Sequence, residues 1–90
     1  MRITYDPEKR CTTLKERDLD FEEAPEVFSG PVFEQIDSRF EYGETRHITV
    51  GFLRGRMVVL VWTQREEVRH IISMRKANGR EQARYQARLG

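Results

Sequence analysis

His47-Ile48-Thr49-Val50-Gly51-Phe52-Leu53, Arg54-Gly55-Arg56 and Met57-Val58-Val59-Leu60-Val61-Trp62 follow one another directly, and the reading of these sixteen residues decides the fold. The first run alternates, with Ile48, Val50 and Phe52 on one face and Thr49 and Gly51 on the other, as a half-buried strand does. The last run is unbroken apolar sequence with strong β-propensity, which predicts a central strand covered on both faces. Arg54-Gly55-Arg56 is a tight hairpin connection, so the two strands run antiparallel.

Working outward, Gln64 to Glu67 predict the next turn and Val68 to Met74 a last strand. Asn78, with Glu81 three residues on, predicts the capped start of a terminal helix. In that helix Ala83 and Ala87 share one stripe, Tyr85 and Leu89 another, and Arg80, Arg84 and Arg88 line a cationic face. Upstream, Tyr42-Gly43-Glu44 reads as a turn and Val32 to Asp37 as a weakly patterned edge strand. Asp6-Pro7-Glu8 is a helix start and predicts a helix to near Arg17. Asp20 with Glu23 predicts a second, short helix, kinked because Pro25 falls at about its fifth position, and Ser29-Gly30-Pro31 ends it. The whole reads as an α+β fold: two N-terminal helices, an antiparallel meander of about four strands and one C-terminal helix, with residues 1–90 forming one domain.

Composition bounds what such a fold can do. With 90 residues, 38% hydrophobic and 34% charged, the core is thin, which excludes a two-domain enzyme and argues against a deep cofactor pocket. Cys11 is the single cysteine, so no intrachain disulfide or thiolate cluster can form, and His47 and His70 lack metal-motif spacing. No metal or cofactor is therefore expected. Met1 to Tyr5 is too short and polar for a signal peptide core and no run approaches a membrane span, so a cytoplasmic protein with no membrane association is expected.

The net charge of +1 argues at first against a nucleic-acid ligand. Divided after Thr45, however, the chain carries −6 in its first half and +7 in its second, and thirteen of its sixteen basic residues are arginine. Arginine binds phosphate through two parallel hydrogen bonds, so the asymmetry points to an anion on the second half. Arg65, Arg69, His70, Arg75 and Lys76 form the densest cluster, on a hairpin that brings its ends together. Arginines that offset charge and a histidine that moves a proton are what metal-free phosphodiester cleavage needs. An edge hairpin with solvated arginines is the plain alternative.

Taken together, Tyr5-Asp6-Pro7-Glu8-Lys9, Phe21-Glu22-Glu23-Ala24 with Val27-Phe28, Gly43-Glu44-Thr45-Arg46-His47-Ile48-Thr49-Val50-Gly51 and Ile71-Ile72-Ser73-Met74-Arg75-Lys76-Ala77-Asn78, followed by Arg80-Glu81 and Tyr85, resemble the BrnT-type toxins of type II toxin–antitoxin systems. The resemblance implies a RelE-like fold, endonucleolytic cleavage of RNA through attack of the 2′-hydroxyl, growth arrest, and neutralisation in a hetero-oligomer with a ribbon-helix-helix, BrnA-like antitoxin. Operator DNA would be bound only through that antitoxin. Carried over by position, Arg75 falls on the arginine of an Ile-Ser-x-Arg pattern and Lys76 on the basic residue after it, which implies contact with the scissile phosphate. Arg65 matches a hairpin arginine that would stabilise transition-state charge. Glu44 and Arg46 match a Gly-Glu-x-Arg element, Glu44 as a base or as the partner that orients an arginine. Arg46, Arg69, Arg80 and Arg84 are the expected RNA contacts.

The chain departs from the family at His70, where arginine is usual, and at Arg17-Asp18-Leu19, where His-Gly-Val is usual. His70 is thus a candidate for acid–base work. Strict alternation places His70, Ile72 and Met74 on one face and Arg69, Ser73 and Arg75 on the other, so a bulge must intervene if His70 and Arg75 serve one site. Trp62 and Tyr85 are expected in the core. The rival readings are a non-catalytic RNA-binding module and a protein-interaction module of the same fold.

Overall fold

The computed structural model describes residues 1–39, 41 and 43–89. In chain order the elements are β1 (Ile3–Tyr5), α1 (Pro7–Arg17), a 3-10 turn (Phe21–Glu23), α2 (Ala24–Ser29), β2 (Phe33–Asp37), β3 (Arg46–Leu53), β4 (Arg56–Arg65), β5 (Val68–Lys76) and α3 (Gly79–Leu89). The strands form one sheet in the order β1-β5-β4-β3-β2, in which β1 runs parallel to β5 and the other pairs are antiparallel.

The expectation of an antiparallel meander of about four strands behind two helices, in a RelE-like arrangement, is corrected by these elements. A fifth strand, β1, makes the sheet mixed. Three residues are too few to show a period, and its partner lies at the other end of the sequence. The second helix is not one kinked rod either. A 3-10 turn capped by Asp20, whose side chain accepts from the Glu22 N–H at 3.0 Å, gives way to α2 at Ala24. Pro25 therefore stands in the first turn of α2, where its missing donor costs nothing. The last strand runs to Lys76, two residues beyond Met74.

Local chemistry explains the elements that match expectation. Asp6 caps α1 by accepting from the Glu8 N–H at 2.9 Å, with Pro7 opening the helix. The β3–β4 turn has Arg54 at φ 49° and Gly55 at φ 80°, the pair of positive values that a two-residue hairpin turn matched to strand twist demands. Gly43, of the expected Tyr42-Gly43-Glu44 turn, has φ 78°, while Tyr42 lies outside the described residues.

The sheet has a core on each face. Leu53, Val58, Leu60, Trp62, Ile71 and Met74 pack with Leu19, from the link after α1, with Phe21 of the 3-10 turn and with Ala24 and Val27 of α2. Val50, Met57 and Val59 pack on the opposite face with Ala77, from the link after β5, and with Tyr85 and Leu89 of α3. Trp62 and Tyr85 are both buried, and the Trp62 indole donates to Thr49 Oγ1 at 2.8 Å. Along β5 the register against β4 slips by one: Ser73 faces Val61 and Ile71 faces Trp62, leaving Ile72 as the extra residue of a bulge. β1 covers β5 only opposite residues 69–71. Beyond it, α1 lies along the strand, and Lys9 Nζ and Arg17 Nη1 donate to the carbonyls of Ile72 (3.5 Å) and Met74 (3.0 Å).

Candidate functional site

The bulge decides which side chains of β5 can act together. Ile71 and Met74 both enter the core beneath the N-terminal helices, so the strand changes phase between them. His70 stands opposite Thr63 and Arg75 opposite Val59, and these two β4 positions lie four apart on the α3 side of the sheet. His70 and Arg75 therefore share a face, separated by about 13 Å of strand at 3.3 Å per residue.

Around His70, side chains from four segments converge. Glu44 precedes β3, Arg46 opens it, Arg65 ends β4, His70 comes from β5, and Lys9 with Asp6 comes from the start of α1; together they line a hollow of about 150 Å³. Arg65 Nη2 lies 3.3 Å from both carboxylate oxygens of Glu44, so the carboxylate fixes the direction of the guanidinium. Thr4 Oγ1 lies 2.9 Å from His70 Nδ1. The His70 pKa is lowered from its ordinary value, first by burial and then by the positive charges of Arg65 and Lys9, against an opposing pull from Glu44 and Asp6. A neutral imidazole beside three cations can accept a proton while the cations stabilise an anion.

Arg75 is engaged elsewhere. Its two terminal nitrogens donate to the two carboxylate oxygens of Glu81 at 2.7 Å each, and Glu81 and Asn78 exchange backbone and side-chain hydrogen bonds at 2.8 and 2.9 Å. That is a capping box with an arginine fastened to it, and it ties the end of β5 to the start of α3. The pairing holds the Glu81 carboxyl down at about 2. Lys76 lies at the opposite end of the sheet from His70, where with Arg54, Arg56, Gln82 and Gln86 it borders a second, open hollow of about 520 Å³. Arg54 in that group is paired with Glu23.

The remaining expected contacts separate by face. Arg69 lies on the other side of the sheet, its guanidinium 4.4 Å from the ring centres of both Phe28 and Trp62. Arg80 and Arg84 are exposed on α3, with Arg84 over Tyr85 at 6.0 Å. The sequence-predicted residues that come together are thus Glu44, Arg46, Arg65 and His70. Lys9 and Thr4 were missed, although Lys9 belongs to the Tyr5-to-Lys9 element quoted above and the N-cap signal at Asp6 fixes where α1 begins. Thr4 had no signal, because it reaches His70 only through the parallel pairing of β1.

Among the described residues no three His, Cys, Asp or Glu side chains gather as metal ligands would, and no helix is long and apolar enough to cross a membrane. Residues 5–81 match a family described as the ribonuclease toxin, BrnT, of type II toxin–antitoxin systems. No curated protein matches the chain.

Proposed function

The chain belongs to the BrnT family of type II toxin–antitoxin ribonuclease toxins, and from that premise we propose that it cleaves RNA, without a metal ion, at the hollow lined by Lys9, Glu44, Arg46, Arg65 and His70. The observation that carries this reading is the convergence of three cations and an imidazole of lowered pKa on one small hollow. In the proposed reaction His70 Nε2 takes the proton of the 2′-hydroxyl as its oxygen attacks phosphorus. The new O2′–P bond forms as the P–O5′ bond breaks, and the Lys9 ammonium protonates the departing 5′-oxygen. The products are a 2′,3′-cyclic phosphate and a 5′-hydroxyl, and the proton returns from His70 to Lys9 through solvent. Arg65, directed by Glu44, and Arg46 stabilise the charge that grows on the non-bridging oxygens.

Arg75 and Lys76 enter this reading as phosphate contacts farther along the bound strand, with Arg80 and Arg84 on α3 extending the cationic track. Membership of a type II system implies an antitoxin partner and an RNA target. We take the partner to be a BrnA-like ribbon-helix-helix protein that blocks the hollow and alone contacts operator DNA, and the toxin to act in the cytoplasm and arrest growth.

The test is incubation of purified protein with defined RNA in chelator. Cleavage to cyclic-phosphate ends, lost in Arg65→Ala and when the attacking nucleotide is 2′-deoxy, is the expected result. Cleavage that survives 2′-deoxy substitution, or that needs a divalent cation, overturns the mechanism. Salt-dependent binding without cleavage overturns the enzyme reading for this chain.

A further inference from the structure

We infer, resting on the cleavage chemistry just proposed, that Thr4 is a positioning residue for His70, holding the ring as the Nδ1–H tautomer so that Nε2 presents its lone pair to the hollow. β1 is only three residues long. Ile3 and Tyr5 pack against the core beneath the N-terminal helices, while Thr4, between them, is directed to the other face and is the register partner of His70. The hydroxyl so placed lies 2.9 Å from Nδ1. The β-branch of threonine restricts χ1, so the oxygen is held there rather than visiting.

A hydroxyl can donate to Nδ1 or accept from it, and the surroundings choose between the two. Arg65, Arg46 and Lys9 line the hollow and carry donors only. Of the two carboxylates in the same hollow, Glu44 holds Arg65 with both oxygens and Asp6 Oδ1 accepts the Glu8 N–H. An Nε2–H turned toward three cations would be disfavoured, whereas an Nε2 lone pair is favoured. Nδ1 then carries the hydrogen and donates it to Thr4 Oγ1. When Nε2 takes the 2′-hydroxyl proton, the resulting imidazolium keeps the same bond to Thr4, so the ring need not reorient during the step.

Thr4→Val keeps the shape and removes the oxygen, and Thr4→Ser keeps the oxygen. In ¹⁵N-labelled protein at pH 8, long-range ¹H–¹⁵N correlations should show His70 of the native chain with a protonated Nδ1 and a pyridine-like Nε2. Thr4→Val should move the ring toward the Nε2–H form and shift the acid limb of kcat to lower pH, because the protonated ring loses its acceptor. Its kcat should fall about tenfold with KM within about twofold, and Thr4→Ser should restore both. A native ring found as Nε2–H overturns the inference even if Thr4→Val does not fold. A Thr4→Val protein with native tautomer and native kcat overturns it as well. A Thr4-dependent tautomer in a chain that does not cut RNA supports the placement of the ring and refutes the proposed function instead.

Discussion

Arg65 and Glu44 are bound to each other beside the hollow, one guanidinium nitrogen 3.3 Å from each carboxylate oxygen. Arg65 is exposed and Glu44 half-buried, so the pair is solvent-screened and adds less than about 1 kcal/mol to folding. Its consequence is directional. Arg65→Ala should lower the single-turnover cleavage rate by about 100-fold, as loss of one charge-stabilising donor does. Glu44→Gln, which leaves the arginine in place but loosely aimed, should lower it by about tenfold, or 1.4 kcal/mol. Thermal melts of both variants should stay close to the native chain. An equal loss in the two would make Glu44 a reacting group instead of an orienting one.

His70 should set the low-pH side of the activity profile. Its pKa is depressed by burial and by Arg65, so the neutral, proton-accepting ring persists to a lower pH than an ordinary histidine allows. Activity should therefore hold down to pH values below the usual histidine range and fall only beneath that. His70→Gln should lose about 100-fold in kcat and should lose the acid limb with it.

Glu81 contributes stability through Arg75. Its folded value of about 2 lies below its ordinary 4.5. The stabilisation is therefore complete above about pH 4.5, declines as the pH falls and is gone below about 2. Solvent reaches both side chains, so the contribution is on the order of 1–2 kcal/mol. Glu81→Gln should unfold more readily at pH 7 by that amount, and the gap to the native chain should close on titration to pH 2. Chemical denaturation at several pH values measures it.

Gly51 faces α2 across the sheet. A methyl group there would come within 2.8 Å of Val27 Cγ1 and 3.1 Å of Val32 Cγ1. Gly51→Ala should destabilise the fold by about 1–3 kcal/mol, since the neighbours are themselves packed. The loss would appear in the denaturation midpoint with an unchanged slope.

Lys76 lies away from the hollow, so its substitution should act on binding alone. Lys76→Ala should reduce the salt slope of RNA affinity by about one and leave the rate of the bound complex unaltered. A fall in that rate with unchanged affinity would place Lys76 at the reacting phosphate.

The β3–β4 hairpin is legible because everything that makes it is local: a two-residue period, an unbroken apolar run, and a glycine at the turn. The caps of α1 and α3 are legible for the same reason. β1 is not, because Ile3–Tyr5 finds its partner 66 residues away and carries no period of its own. The place of Pro25 is not legible, because the Asp20 cap is genuine but serves a 3-10 turn, after which the helix begins afresh. In the site, Arg65 and His70 stand out in the sequence because they lie on one basic hairpin, whereas Glu44 and Arg46 stand out only through the resemblance to the family's Gly-Glu-x-Arg element. The bulge could be posed as a question but not located, since Ile71-Ile72 are alike and satisfy either phase. Lys9 is not legible, because a lysine on an exposed helix gives no sign that the sheet edge beside it is open.

The extra residue at Ile72 is where β5 has length to spare. Taking out Ile72 alone would set Ser73 next to Ile71, and strict alternation from Ile71 would keep Met74 in the core and Arg75 on the face of His70. The pairing with β4 would then run without a break. Losing one residue from the regular run Val58–Val61 of β4 would instead exchange the faces of the side chains on one side of the gap. In this sheet the severity of a one-residue deletion depends on which strand it strikes.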